Sequence, residues 1–161
     1  MVRRDSARYI LGLTRLFLGW TFLWSFLDKL FGHETPSAKV WIGGGSPIRR
    51  FLKVAVGPFA GIYHSLSGVQ AADWGFMLGL LAIGVALLLG IGTRIAAVSG
   101  AVLLVLMWSA SLPPANNPFM DEHLIYAAVL LGLAVVGAGN ILGLGRQWTN
   151  TDVVRRHPWL T

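Results

Sequence analysis

The sequence has 161 residues, of which 55% are hydrophobic and only 12% are charged. Soluble domains average about 25% charged residues, and a chain of this size cannot hide so much apolar surface from water. The composition therefore argues against a soluble enzyme, a disordered tail or a nucleic-acid-binding module, although the formal net charge is +6. The chain has no cysteine, which excludes disulfides, iron–sulfur clusters, Cys-ligated zinc and a dithiol relay.

Four apolar segments predict membrane-spanning helices. About 20 apolar residues at 1.5 Å each cross a hydrocarbon core of about 30 Å. The apolar side chains surround each segment, as in a helix that contacts both lipid and other helices. The sequence therefore predicts an all-α, integral membrane four-helix bundle that forms a single domain over residues 1–161. The predicted spans cover residues 9–31, 74–91, 95–112 and 118–142.

The basic residues outside the spans predict the orientation of the bundle. The N-terminal segment, the turn at Arg94 and the tail 143–161 lie on one side, and all three are basic. The positive-inside rule places this side in the cytoplasm. Arg15 is expected to extend its side chain toward it. We therefore predict a multi-pass protein of the cell membrane, with both termini cytoplasmic and the loop 32–73 outside.

The outer loop is predicted to carry two short helices at the membrane interface. Ser46 and Pro47 are typical of an N-cap and a first helical position, and a second helix is predicted over residues 59–67. The first helix is amphipathic and basic, as interfacial helices are. Its charge suits either a small anionic substrate or lipid head groups, and it weakens the orientation argument. The basic residues of this loop are Lys39, Arg49, Arg50 and Lys53.

Two pairs of glycines have a spacing that lets membrane helices approach closely, Gly75 with Gly79 and Gly139 with Gly143. Packing within one bundle is favoured over a dimer contact.

Polar residues near the outer ends of three spans predict one pocket. Ionisable side chains in a membrane span are costly, so each needs a partner or a function. Thr21 and Asp28 share one face of the first span, and a short carboxylate cannot reach far toward water. His123 is the histidine best placed to exchange a proton. The predicted pocket contains Trp24, Asp28, Lys29, Trp108, Asp121, Glu122, His123 and Tyr126.

Structural explanations for these residues stay open. Asn117 and Pro118 are typical of an N-cap and a first-turn proline, and acids such as Asp121 and Glu122 favour the start of a helix. Tryptophan and tyrosine are common at membrane interfaces. Two facing histidines for a haem are missing from the spans, so haem is not expected.

The ordered set of motifs resembles the DoxX family of small four-span membrane proteins. The first span contains Arg15-x-x-x-Gly19-Trp20-x-Phe22-Leu23-x-x-x-x-Asp28-Lys29-Leu30-Phe31-Gly32. Gly43-Gly44-x-Ser46-Pro47 resembles the outer loop of DoxD-like members. Asn117-Pro118-Phe119-x-Asp121-Glu122-His123-x-Ile125-Tyr126 is similar to their fourth helix.

The resemblance implies a redox function. DoxD-like proteins are described as the large subunit of a thiosulfate:quinone oxidoreductase, which oxidises thiosulfate to tetrathionate and passes the electrons to membrane quinone, with a small partner subunit. Quinone is then a co-substrate, and no haem, iron–sulfur cluster or zinc is expected. On this hypothesis three sets of residues have a role, and each role is assigned from the chemistry of the side chains. Asp28, Glu122 and His123 exchange protons; Trp24, Lys29, Trp108 and Tyr126 bind the quinone; Arg49, Arg50 and Lys53 attract the anion.

Two other functions stay open. The alternative is a non-catalytic membrane anchor or scaffold that holds an oxidoreductase complex through its basic tail. A transporter of small molecules or lipids is less favoured, because broken helices and inverted repeats are missing. The expected partners are the lipid bilayer, a small subunit or soluble redox proteins and a second copy of the chain, but no nucleic acid.

Overall fold

The computed structural model describes residues 4–32, 40–114 and 117–161, and these residues contain helices and no β-strand. The bundle consists of α1 (Arg4–Phe31), α4 (Gln70–Leu89), α5 (Thr93–Ala110) and α6 (Glu122–Val135). The all-helical bundle is therefore confirmed. Shorter helices are α2 (Arg49–Lys53), α3 (Ala60–Leu66), α7 (Gly145–Thr149) and α8 (Asp152–Arg156), with 3₁₀ turns at Trp41–Gly43, Ala138–Asn140 and Pro158–Leu160.

Three helices are long and apolar enough to cross a membrane, namely α1, α4 and α5. The fourth, α6, is apolar but has only 14 residues, or about 21 Å. It occupies the centre of the predicted span 118–142. Asn117 is not its N-cap: Asp121 caps it, and the Asn117 side chain instead accepts bonds from the N–H groups of Phe119 and Met120 in the preceding turn.

The helices pack in pairs, α1 along α4 and α5 along α6, and α4 joins the pairs through α5. Gly84 marks the closest approach of α1 and α4, because a Cβ atom there would lie 2.8 Å from the backbone nitrogen of Leu23. Gly75 and Gly79 have no neighbouring atom within 4 Å of such a Cβ. Their predicted packing role inside the bundle is therefore wrong, since a Cβ atom at either position would meet open space. The shared core includes Phe22, Met77, Leu80, Leu87, Ala97, Leu104 and Leu130.

The bundle has two ends with different structures. The turn end comprises the start of α1, the α4–α5 turn at residues 90–92 and residues 137–161. The loop end comprises residues 40–69 and the connection from α5 to α6. Lys39 belongs to the loop but lies outside the described residues.

Arg15 lies inside the turn end and is only 1% exposed. Its Nη1 donates to the carbonyls of Leu87 and Leu88, the latter at 3.1 Å, and its Nη2 donates to those of Ile141 and Leu142 at 3.0 and 2.9 Å. The last carbonyls of a helix have no N–H donor within that helix. Here the Arg15 guanidinium donates hydrogen bonds to the carbonyls at the end of α4. Arg15 therefore extends to the predicted end of the bundle but does not reach water there, because backbone carbonyls of two elements bind it in the interior.

Glycines allow the backbone to close around Arg15. A Cβ on Gly139 would lie 2.7 Å from the Gly90 carbonyl oxygen, and one on Gly143 would lie 2.6 Å from that of Gly139. Gly90 also has a positive φ of 75°, which glycine adopts without strain. The predicted close packing at Gly139 and Gly143 is confirmed.

The C-terminal residues cover the start of α5. The Arg94 N–H donates to the Thr161 carbonyl at 2.9 Å, and the Trp148 indole donates to that of Leu160 at 2.8 Å. Val154 of α8 is also buried. The tail is therefore part of the folded domain.

The loop end contains both predicted short helices, α2 and α3. Ile48, Leu52 and Tyr63 pack against Ala110 at the end of α5. The Ser46 hydroxyl accepts a bond from the Arg49 N–H at 3.1 Å, but the N-cap of α2 is Ile48 and Pro47 lies in the turn before it. The predicted N-cap at Ser46 with Pro47 at the first helical position is therefore wrong, because the helix begins two residues later. The basic side of α2 is thereby left exposed.

Candidate functional site

A cavity of about 290 Å³ lies toward the loop end between α1, α4, α5 and α6. We call it the bundle cavity. Its polar side chains come from two helices: Thr21, Ser25 and Lys29 from α1, and Glu122, His123 and Tyr126 from α6. Its apolar walls are formed by Leu18, Phe22, Phe76, Leu80, Leu104 and Met107.

His123 is held in place by Asp121. One carboxylate oxygen of Asp121 accepts the N–H groups of His123 and Leu124 at 3.0 and 3.3 Å, which starts α6. The other oxygen lies 2.8 Å from His123 Nδ1. A carboxylate accepts hydrogen bonds, so Nδ1–H is the donor and Nε2 is the ring nitrogen left for another partner. The predicted helix-start role of Asp121 is confirmed, and the same residue orients the histidine.

A larger cleft of about 970 Å³ lies beside the bundle cavity and contains the basic residues of α2. We call it the basic cleft. Arg49, Arg50 and Lys53 line it, and none of them forms a salt bridge with a described side chain. Asp73 of α4 is the buried acid of this cleft, and it accepts a bond of 2.7 Å from the Ser46 hydroxyl.

The two cavities meet the same two helices at the same end. Lys29 lines the bundle cavity and the next residue, Leu30, lines the basic cleft. On α4, Phe76 lines the first and Trp74 lines the second. The two cavities therefore share α1 and α4 as walls at the loop end of the bundle.

A family model described as DoxX matches residues 10–112, which is more than half of the chain. The chain belongs to the DoxX family. DoxX proteins are membrane proteins often linked to redox reactions, and this chain is a multi-pass membrane protein. The match covers α1 to α5, including the basic cleft, and stops before the α6 side of the bundle cavity. Searches of curated proteins and of solved structures found no match.

The structure of this DoxX protein brings together part of the predicted site. Lys29, Glu122, His123 and Tyr126 line the bundle cavity. Asp28 is buried on α1 next to Lys29 but does not line that cavity. Arg49, Arg50 and Lys53 share the basic cleft, as the sequence predicted for anion-binding residues.

The two tryptophans of the predicted site lie away from the cavity. Trp24 is exposed and packs against Trp20, with ring centroids 5.9 Å apart. The Trp108 indole donates to the Phe119 carbonyl at 2.6 Å. Neither ring lines the bundle cavity of the DoxX protein, because one faces outward from the bundle and the other is bound to the α5–α6 connection.

Three polar lining residues were not among the predicted site residues, namely Thr21 and Ser25 of the bundle cavity and Asp73 of the basic cleft. Thr21, Ser25 and Lys29 are spaced by four, so they form one strip along α1, whereas the prediction placed Thr21 with Asp28, seven residues away. That spacing was the available signal for Ser25. Asp73 was missed because nothing in its sequence neighbourhood indicates that Ser46 binds it.

One group of side chains has the proximity of metal ligands. Ligand atoms of Asp121, Glu122 and His123 lie within 4.8 Å of one another. Exposed acids are often adjacent without an ion, and both oxygens of Asp121 already accept bonds within α6. The arrangement is therefore explained by helix capping and by the orientation of His123.

Proposed function

We propose that this DoxX protein is a quinone-linked oxidoreductase of the DoxD-like type, which oxidises thiosulfate or a similar small anion. The bundle cavity carries the proposal. It combines an oriented histidine, an acid, a lysine and a tyrosine with apolar walls inside a membrane bundle. Pockets for ring-shaped cofactors have this composition, with mostly apolar walls and a few polar groups that fix the orientation.

The residues of the bundle cavity fit a quinone head group. Lys29 and Tyr126 can donate hydrogen bonds to quinone oxygens. His123 and Glu122 can supply the protons that quinone reduction needs. Quinone, when bound, would accept the two electrons. A thiol of the protein cannot do so, because the chain has no cysteine.

The basic cleft supports the anion half of the reaction. Arg49, Arg50 and Lys53 form a positive concave surface, which raises the local concentration of an anion. Two thiosulfate ions joined by a new sulfur–sulfur bond give tetrathionate and two electrons. Those electrons, with two protons, convert quinone to quinol, so atoms and charge balance.

The test is thiosulfate-dependent quinone reduction by the purified protein in lipid nanodiscs, with bound quinone measured in the same sample. We expect bound quinone and turnover. His123→Gln should lower the turnover number by about 10²- to 10⁴-fold, the range for loss of a general acid. The matched control is His157→Gln, since His157 is exposed at the turn end, away from both cavities. A protein with neither bound quinone nor quinone reduction would overturn the proposal.

A scaffold function is favoured by a separate observation. Arg155 and Arg156 of α8 are exposed at the turn end and could bind an acidic surface of a soluble redox protein. Deletion of the whole tail would also uncover the start of α5, because the Thr161 carbonyl binds the Arg94 N–H and the turn Pro158–Leu160 packs against that helix. The cleaner variant is Arg155→Glu with Arg156→Glu. Loss of co-purifying oxidoreductase subunits from a protein that reduces no quinone would support the scaffold.

A further inference from the structure

A third cleft, of about 400 Å³, lies at the turn end and belongs to neither half of the proposed redox site. Arg8 and Tyr9 of α1 form one wall, and Arg146 and Gln147 of α7 form another, with residues 140–143 between them. We call it the turn-end cleft. Neither arginine forms a salt bridge with a described side chain. Two like charges on one cleft repel each other, so an anion bound between them would be stabilised.

The floor of the turn-end cleft is rigid. Arg15, behind the floor, binds the carbonyls of Ile141 and Leu142 at 3.0 and 2.9 Å. The Leu144 N–H donates to the Leu89 carbonyl at 2.8 Å, which fixes the same segment to the end of α4. A site held in its binding geometry loses less conformational entropy when a ligand binds.

The cleft lies at the depth of lipid head groups. The 28 residues of α1 extend about 42 Å, which exceeds a hydrocarbon core of about 30 Å. Counted back from Phe31, about 20 residues of α1 fill the core and end near Gly12. Arg8 and Tyr9 lie about one turn further out.

An apolar stripe leads from the cleft along the outside of α1. Tyr9, Leu13 and Phe17 are spaced by four and therefore share one face. They are 57%, 43% and 68% exposed. Leu142, which also lines the cleft, is exposed beside them. Acyl chains need such a surface, whereas a free inorganic anion does not.

We propose that the turn-end cleft binds an anionic glycerophospholipid, with its phosphate between Arg8 and Arg146 and its acyl chains along Tyr9, Leu13 and Phe17. Arginine binds phosphate oxygens through paired N–H donors. Such a site differs from the general attraction of basic residues to an anionic membrane surface, because Arg8 of α1 and Arg146 of α7 line one cleft. Bound lipid would therefore connect α1 to α7.

The test uses the full chain in nanodiscs of phosphatidylcholine with one tenth phosphatidylglycerol, followed by native mass spectrometry of the released protein. The wild type should retain phosphatidylglycerol in preference to phosphatidylcholine. Arg8→Gln with Arg146→Gln should reduce that preference by about 30-fold, and Arg146→Gln alone by about fivefold. The matched control, Arg155→Gln with Arg156→Gln, removes the same charge from residues that do not line the cleft and should change the preference less than about twofold. Equal losses in the two double variants would overturn the proposal.

A second measurement separates a lipid from a free phosphate ester. The delipidated protein is heated in detergent with either phosphatidylglycerol or soluble glycerol 3-phosphate at equal concentration. We expect the lipid alone to raise the apparent Tm of the wild type, and the single variant Arg146→Gln to reduce this rise. An equal rise with glycerol 3-phosphate would overturn the assignment to a lipid.

Discussion

At the residue scale, Arg15 is a charged side chain buried within a membrane-spanning helix, with only 1% of it exposed. A charge in a membrane span is costly unless polar groups surround it, and here four carbonyls from α4 and from residues 141–142 do so. The planar guanidinium can bind carbonyls of both elements at once, which a lysine ammonium does less well. Arg15 thus holds together three segments that are far apart in sequence.

Arg15→Leu should be strongly destabilising, because it leaves buried carbonyls without donors. We expect a loss of about 3–5 kcal/mol in the free energy of unfolding, with Arg15→Lys in between. The measurement is unfolding in detergent micelles at several temperatures. Arg94→Leu, at an exposed arginine of the same end, should change stability by less than about 0.5 kcal/mol. Similar losses for Arg15→Leu and Arg94→Leu would contradict this account.

Asp28 is a second residue whose environment can be tested by substitution. It is buried beside Lys29 but outside the bundle cavity. If it delivers protons, as the sequence predicts, Asp28→Asn should abolish quinone reduction while the protein still assembles, because an amide releases no proton. Size-exclusion elution reports assembly and the nanodisc assay reports turnover. An unchanged rate would remove Asp28 from the mechanism and leave Glu122 and His123 as the proton donors.

At the scale of elements, two glycines of the same helix, Gly79 and Gly84 of α4, differ in how closely another helix packs against them. A Cβ at Gly84 would lie 2.8 Å from the Leu23 nitrogen, whereas one at Gly79 would have open space. Gly84→Ala should force α1 and α4 apart and cost about 1–3 kcal/mol.

Gly79→Ala is the matched control for Gly84→Ala in the same helix. It should be neutral or slightly stabilising, because alanine favours helices by up to about 1 kcal/mol over glycine. Thermal unfolding of the two variants side by side measures the difference. Equal destabilisation would show that the Gly79 face packs against another molecule, as in a homo-oligomer.

At the scale of the whole molecule, the two ends of the bundle should lie on opposite sides of the membrane. The absence of native cysteine makes single-cysteine labelling unambiguous. Gly43→Cys is exposed at the loop end and Asn150→Cys is exposed at the turn end. A membrane-impermeant maleimide added to intact cells should label Gly43→Cys, and Asn150→Cys only after lysis, if the positive-inside prediction is correct. The opposite pattern would reverse the orientation, and labelling of both in intact cells would contradict the bundle topology.

Much of the architecture was predictable from the sequence because the bilayer restricts the choices. Continuous apolar segments of this length are accommodated in a bilayer as helices. Ser46 and Pro47 indicated that a short helix begins near them in the loop. The residues of the basic cleft were predictable as a group because they are neighbours in sequence on α2.

Only the tertiary structure decided which polar residues share a cavity and where Arg15 points. Helices that are apolar on all sides carry no sequence signal for their rotation about their own axes. Backbone contacts at Gly84, Gly90 and Gly139 set that rotation. They bring Ser25 and Lys29 opposite His123, leave Trp24 and Trp108 outside the cavity, and bury Arg15 among carbonyls that lie far from it in the chain.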